Sequence, residues 1–129
     1  MTTSPLKAVL IPVTPLQQNC TLFWCTKTMK GAFVDAGGDI ERLKAAAQQH
    51  GVTVEKLLVT HGHIDHCGQT GVLARDLSVP IEGPHEDDRF WIERLPEDGL
   101  RWGLPGEAFE PDRWLKDGDQ VQVGELALD

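Results

Sequence analysis

The spacing of apolar and polar positions divides the chain into a β-rich first third and a mixed remainder. Residues 6–13 (LKAVLIPV) form an apolar run broken by Pro12, and residues 19–25 (NCTLFWC) form a second run rich in β-formers. After a polar turn at 26–31, the segment 32–36 (AFVDA) predicts a third strand. Three strands in succession, each separated by a few turn residues, predict an antiparallel meander. The period then changes. Asp39 reads as the N-cap of a helix in which Ile40, Leu43, Ala46 and Ala47 recur at helical spacing, and Gly51 after His50 is the expected C′ glycine. A short β-branched run at 54–59 predicts a buried strand. A helix is expected through 71–77, and Val79-Pro80-Ile81 reads as a short strand.

Residues 85–94 (HEDDRFWIER) read as a helix whose acidic start suits the positive end of its dipole. Residues 96–111 read as a loop punctuated by glycine and proline. Residues 114–129 read as a hairpin, with Asp117-Gly118-Asp119 as a turn, Val121 and Val123 alternating with polar positions, and a further turn at Gly124-Glu125. The apolar β pattern continues through Leu126-Ala127-Leu128 to Asp129.

Composition narrows the class. A chain of 129 residues with 40% hydrophobic and 25% charged positions fits one globular domain. A net charge of −8 disfavours nucleic acid as the main partner, because phosphate binding needs a basic footprint. No stretch approaches the roughly 18 apolar residues needed to cross a bilayer, so no membrane partner is expected. The first five residues carry no apolar signal-peptide core, and a cytoplasmic location is the expectation. Three cysteines, an odd number, fit a reducing compartment better than a disulfide framework. Cys20 and Cys25, five apart in a strand, are expected in the core on opposite faces.

The chemistry concentrates at the end of the run at 54–59. Three of the five histidines, His61, His63 and His66, fall within six residues, with Asp65 beside the last. His61 and His63, two apart at the end of an extended strand, project to the same side and can grip one ion. Asp65 and His66 open the next segment and can reach a second ion. Imidazole nitrogen and carboxylate oxygen are ligands that zinc takes in catalytic sites, and iron or manganese suits the same donors. An aspartate in the first turn of a following helix also offsets the repulsion between a cation and the helix N-terminus. Gly62 and Gly68 leave room for backbone to wrap closely around metal. Cys67 reads as an apolar filler behind the site rather than a nucleophile.

Thr60-His61-Gly62-His63-Ile64-Asp65-His66 resembles the T-H-x-H-x-D-H signature of the metallo-β-lactamase superfamily, and most closely its glyoxalase II (hydroxyacylglutathione hydrolase) branch. Val34-Asp35-Ala36-Gly37-Gly38 is similar to the family's strand ending in Asp-x-Gly, and Asp117-Gly118-Asp119 through Gly124 to its D-G-D hairpin. The resemblance implies an α/β fold, the αββα sandwich. It assigns His61 and His63 to a first metal and Asp65 and His66 to a second, the pair being zinc in the complete enzyme. It also implies further ligands, including a histidine from a loop just beyond the hairpin. Residues 1–129 are therefore expected to be the N-terminal portion of one longer metallo-β-lactamase-like domain.

The implied reaction is hydrolysis of a small-molecule thioester such as S-lactoylglutathione by a metal-bridging hydroxide, with Asp65 orienting or accepting the proton of the attacking water. Rival readings stay open: a mononuclear-iron persulfide dioxygenase, another hydrolase of the superfamily, or a non-catalytic metal-binding interaction module. His85, opening the 85–94 helix, is expected to be solvated or to cap it, and His50 to end its own helix. The aromatic run of Trp91, Trp102, Phe109 and Trp114 reads either as the wall of a pocket or as packing on the core.

Overall fold

The computed structural model describes residues 6–13, 18–60, 68–103, 106–116, 119–124 and 126–128. Strands β1 (Leu6–Val13), β2 (Gln18–Cys25) and β3 (Lys30–Val34) form the expected antiparallel meander. Helix α1 (Ile40–His50) carries the chain over to β4 (Thr53–Leu58), which pairs parallel with β3. Helix α2 (Thr70–Leu77) leads to β5 (Ile81–Glu82), which pairs parallel with β4. The result is one five-stranded sheet ordered β1-β2-β3-β4-β5.

Alternation along each strand sorts the side chains. Leu22, Phe33, Leu57 and Ile81 point to one face and join Leu43 and Ala47 of α1 and Leu73 of α2 in the main core. Phe23, Ala32, Val34 and Leu58 point to the other face. There they meet Leu115 and the valines of β6 (Val121–Val123), which pairs with β7 (Leu126–Leu128) in a short hairpin. Cys20 and Cys25 are both fully buried. Cys20 lies in the helix-side core, whereas Cys25 stands against Gly124 of the hairpin, as their odd spacing requires.

Two local expectations need correction. The segment 85–94 is not one helix but a 3₁₀ turn (Glu86–Asp88) followed by α3 (Arg89–Glu93). Part of the expected 96–111 loop is helix α4 (Leu95–Trp102), because Pro96 falls in the first turn, where its missing N–H costs nothing, and Glu97 and Asp98 favour that end. The terminal hairpin of β6 and β7 turns at Gly124, with φ 58°, as expected. Ahead of it, Lys116 and Asp119 close the earlier turn, through Lys116 N to Asp119 Oδ2 at 2.8 Å and Asp119 N to Lys116 O at 3.0 Å. Asp39 does precede α1, but in a left-handed conformation and without a side-chain capping bond.

Candidate metal centre

Val34, Leu58 and Glu82 are register partners across the parallel ladder, so the carboxyl ends of β3, β4 and β5 lie side by side. Pairing runs one residue further: Asp35 N donates to Leu58 O at 2.9 Å, and Val59 N to Glu82 O at 3.1 Å. This is the edge at which open α/β sheets place their ligands, because loops from neighbouring strands converge there.

Thr60, the residue before His61, is held at that edge by Asp35. Its backbone N–H donates to Asp35 Oδ1 at 2.8 Å and its hydroxyl to Oδ2 at 2.6 Å. Each carboxylate oxygen thereby accepts a hydrogen bond from Thr60. Asp35 is buried and has φ 61°, a left-handed conformation that aspartate tolerates better than most side chains. Gly37 N closes the turn by donating to Asp35 O at 2.9 Å. Gly83 supports the same strand end from the other side. Its φ is 87°, and a Cβ there would stand 2.5 Å from Val59 O, so only glycine fits without displacing backbone.

The chain is also pinned where it leaves the motif. Thr70 Oγ1 donates to Ala36 O at 3.3 Å, and Glu107 N donates to Gly68 O at 3.0 Å. The loop after β3 therefore touches both flanks of the histidine run, Thr60 ahead of it and Thr70 behind. Cys20 lies in the same core as Ala36 and Val59. Burial pushes its thiol far above the ordinary range, and the charge of Asp35 adds in the same direction.

His61, His63, Asp65 and His66, with Cys67, lie outside the described residues. Among the described residues, no group of three or more His, Cys, Asp or Glu side chains is arranged to hold a metal ion. His85 caps the 3₁₀ turn, with Nδ1 accepting from Asp87 N at 3.1 Å, and His50 ends α1 beside the ring of Trp24 at 5.2 Å. Phe109 and Trp114 pack against the main core, and Arg89 stacks over Trp114 at 4.6 Å, which supports packing for these two aromatics. The Trp102 side chain lies outside the described residues.

Asp35 and Gly83 were not assigned roles from the sequence. The visible signals were an aspartate ending an apolar strand and a Gly-Pro pair ending another. Neither identifies the residue it will meet, because those partners come from other strands.

The family model of the Metallo-beta-lactamase superfamily matches residues 13–128. This chain belongs to that superfamily. Among curated relatives, the hydroxyacylglutathione hydrolase GloC of Haemophilus influenzae is 42% identical over 113 residues, covering 87% of this chain and 53% of GloC. Among solved structures, BLEG-1 B3 metallo-beta-lactamase aligns with a TM-score of 0.79 at 25% identity, over 94% of this chain and 58% of that one. TTHA1623 in a di-iron-bound form aligns with a TM-score of 0.78 at 28% identity, over 88% of this chain and 56% of that one. The chain thus spans about half the length of the relatives it matches. The mixed α/β architecture described above corresponds to the N-terminal portion of the metallo-beta-lactamase fold.

Proposed function

We propose that this protein is a metal-dependent hydrolase of the glyoxalase II type that cleaves a thioester such as S-lactoylglutathione in a reducing, cytoplasmic setting. Residues 1–129 are then the N-terminal portion of a single metallo-beta-lactamase domain. The reading is carried by one observation: the Thr60-His61-Gly62-His63-Ile64-Asp65-His66 run starts from a residue clamped on Asp35 at the carboxyl edge of the parallel strands. The 42% identity to a hydroxyacylglutathione hydrolase supports the substrate class.

The donor set suits divalent metal. Three imidazoles and one carboxylate are borderline N/O ligands, which zinc accepts and which iron also accepts, as the di-iron form of TTHA1623 illustrates. His61 and His63 would hold one ion, and Asp65 and His66 a second. When bound, the metal supplies Lewis acidity and a water acidified toward neutrality. The chain supplies the rest. Asp65, besides ligating, orients the attacking water or accepts its proton. Asp35 acts through Thr60: two charge-assisted hydrogen bonds fix the residue that immediately precedes His61.

Steady-state hydrolysis of S-lactoylglutathione by the complete gene product, measured alongside its metal content, tests the reading. Turnover that is lost on chelation and restored by zinc or iron is expected. Absent thioester turnover, with one iron per chain and oxygen uptake on glutathione persulfide, would replace it with the dioxygenase reading. Hydrolysis confined to a β-lactam would replace the substrate class.

A further inference from the structure

Residues 106–111 form neither helix nor strand, yet they are fastened at several points. Glu107 N donates to Gly68 O at 3.0 Å. The Glu107 carboxylate accepts both arms of the Arg75 guanidinium, Nη2 to Oε2 at 3.0 Å and Nη1 to Oε1. Glu107 is thus tied by its backbone to the residue two positions after His66, and by its side chain to the last turn of α2. Phe109 packs against the main core and lies over Gly71, where a Cβ would stand 3.1 Å from the Phe109 Cβ. Glu110 reaches Arg89 of α3 at 3.3 Å.

The fastenings are of unequal kind. The Arg75 and Glu107 side chains are 65% and 39% exposed, so their pairing contributes little to global stability. The Glu107 to Gly68 bond, in contrast, stands directly at the exit of the histidine run. Thr70 to Ala36 O holds the next turn, so two separate segments secure the start of α2. An irregular segment held by surface ion pairs and one backbone bond opens at less cost than the sheet beneath it. Ligands brought to one ion need their backbone in one conformation. An ion that selects that conformation also favours the contacts that stabilise it.

We propose that residues 106–110 are a strap whose closure is thermodynamically linked to metal binding by the histidine run, with Glu107 as the positioning residue. The inference rests on the metal reading of that run and adds a support that acts on its exit. Linkage makes the effect reciprocal: the factor by which the closed strap raises metal affinity is the factor by which metal favours closure.

The test uses the complete gene product, stripped of metal and titrated with zinc ion against a chromophoric chelator, with amide exchange followed in the same samples. Zinc is expected to slow exchange of the Glu107 amide about tenfold and to leave that of Gly51, at the end of α1, unchanged. Glu107→Pro, which removes the N–H and the carboxylate, should weaken zinc binding about tenfold. Glu107→Gln keeps the N–H and should recover most of that loss, and Arg75→Gln should cost about two- to threefold. If Glu107→Pro does not fold, the Glu107 exchange decides. Zinc uptake without added protection at Glu107, or with unchanged affinity in a folded Glu107→Pro variant, would overturn the strap and leave the metal centre standing. No zinc uptake by the unsubstituted protein would overturn both.

Discussion

One face of the five-stranded sheet is sealed by Leu43 of α1 and Leu73 of α2 over Leu22, Phe33 and Leu57, all fully buried. The opposite face carries Phe23 and Ala32 under the β6–β7 hairpin, and beside them a group of charges. There Lys56 Nζ lies 2.5 Å from Glu82 Oε2, and Arg113 Nη1 donates to Glu82 Oε1 at 3.0 Å and to Gln120 O at 2.9 Å. Leu10, which points to this face by alternation from the buried Ile11, is 65% exposed. The first face depends on area removed from water and the second partly on geometry between ions. The helix-covered face therefore fixes where β3 and β4 end, and so where Asp35 meets Thr60. The other face settles how the 111–124 segment lies on the sheet.

The contrast can be broken from either side. Leu57→Ala opens a cavity between β4 and the helices, and a loss of about 3–5 kcal/mol is expected in urea unfolding. A cost below about 1 kcal/mol would mean that this face is not the main source of stability. Glu82→Gln leaves Lys56 and Arg113 without their counter-charge. The Glu82 side chain is only 10% exposed but that of Arg113 is 43%, so about 1.5–3 kcal/mol is expected rather than the full cost of a buried ion. Faster amide exchange at Gly83, whose N–H donates to Arg113 O, should accompany it.

Thr60→Val removes the hydroxyl bond to Asp35 Oδ2 and leaves the backbone bond in place. About 1 kcal/mol of stability is expected to be lost, with a larger proportional loss of metal affinity, about 10-fold or more, because the strand end feeding the ligands loosens. Equal small effects on both would reduce the clamp to an ordinary structural bond. The smallest effect is expected at the surface pair of Arg75 and Glu107. The hydrogen bond from Arg75 holds the Glu107 carboxyl below its usual 4.5. A depressed carboxylate stabilises the fold above its unfolded pKa, and that contribution disappears as pH falls through the folded value. Glu107→Gln should therefore lower Tm only slightly at pH 7, and by less as the pH falls through the acid range below 4.5.

Much of the frame was legible because it depends on local pattern. Apolar, β-former-rich and β-branched runs marked β1 to β4, helical spacing marked α1, and Gly51 marked where α1 stops. Helix α4 was hidden because Pro96 and Gly99 read as loop residues, whereas burial of Leu95 and the first-turn position of Pro96 decide the matter. The histidine run points to a metal site by residue type and spacing, and its residues lie outside those described. The Asp35–Thr60 clamp, the Gly83 contact and the Glu82 ion group could not be read that way, since each joins residues at least 24 positions apart in sequence.

The central claim is that His61, His63, Asp65 and His66 form a metal centre at the carboxyl edge of the parallel strands. Metal stoichiometry of the complete gene product, measured by plasma mass spectrometry after dialysis, tests it most directly against a His61→Ala/His63→Ala variant. Two equivalents per chain in the unsubstituted protein, falling to one or fewer in a variant that keeps its circular dichroism spectrum, is the predicted result. Undiminished metal content in the folded variant would contradict the assignment.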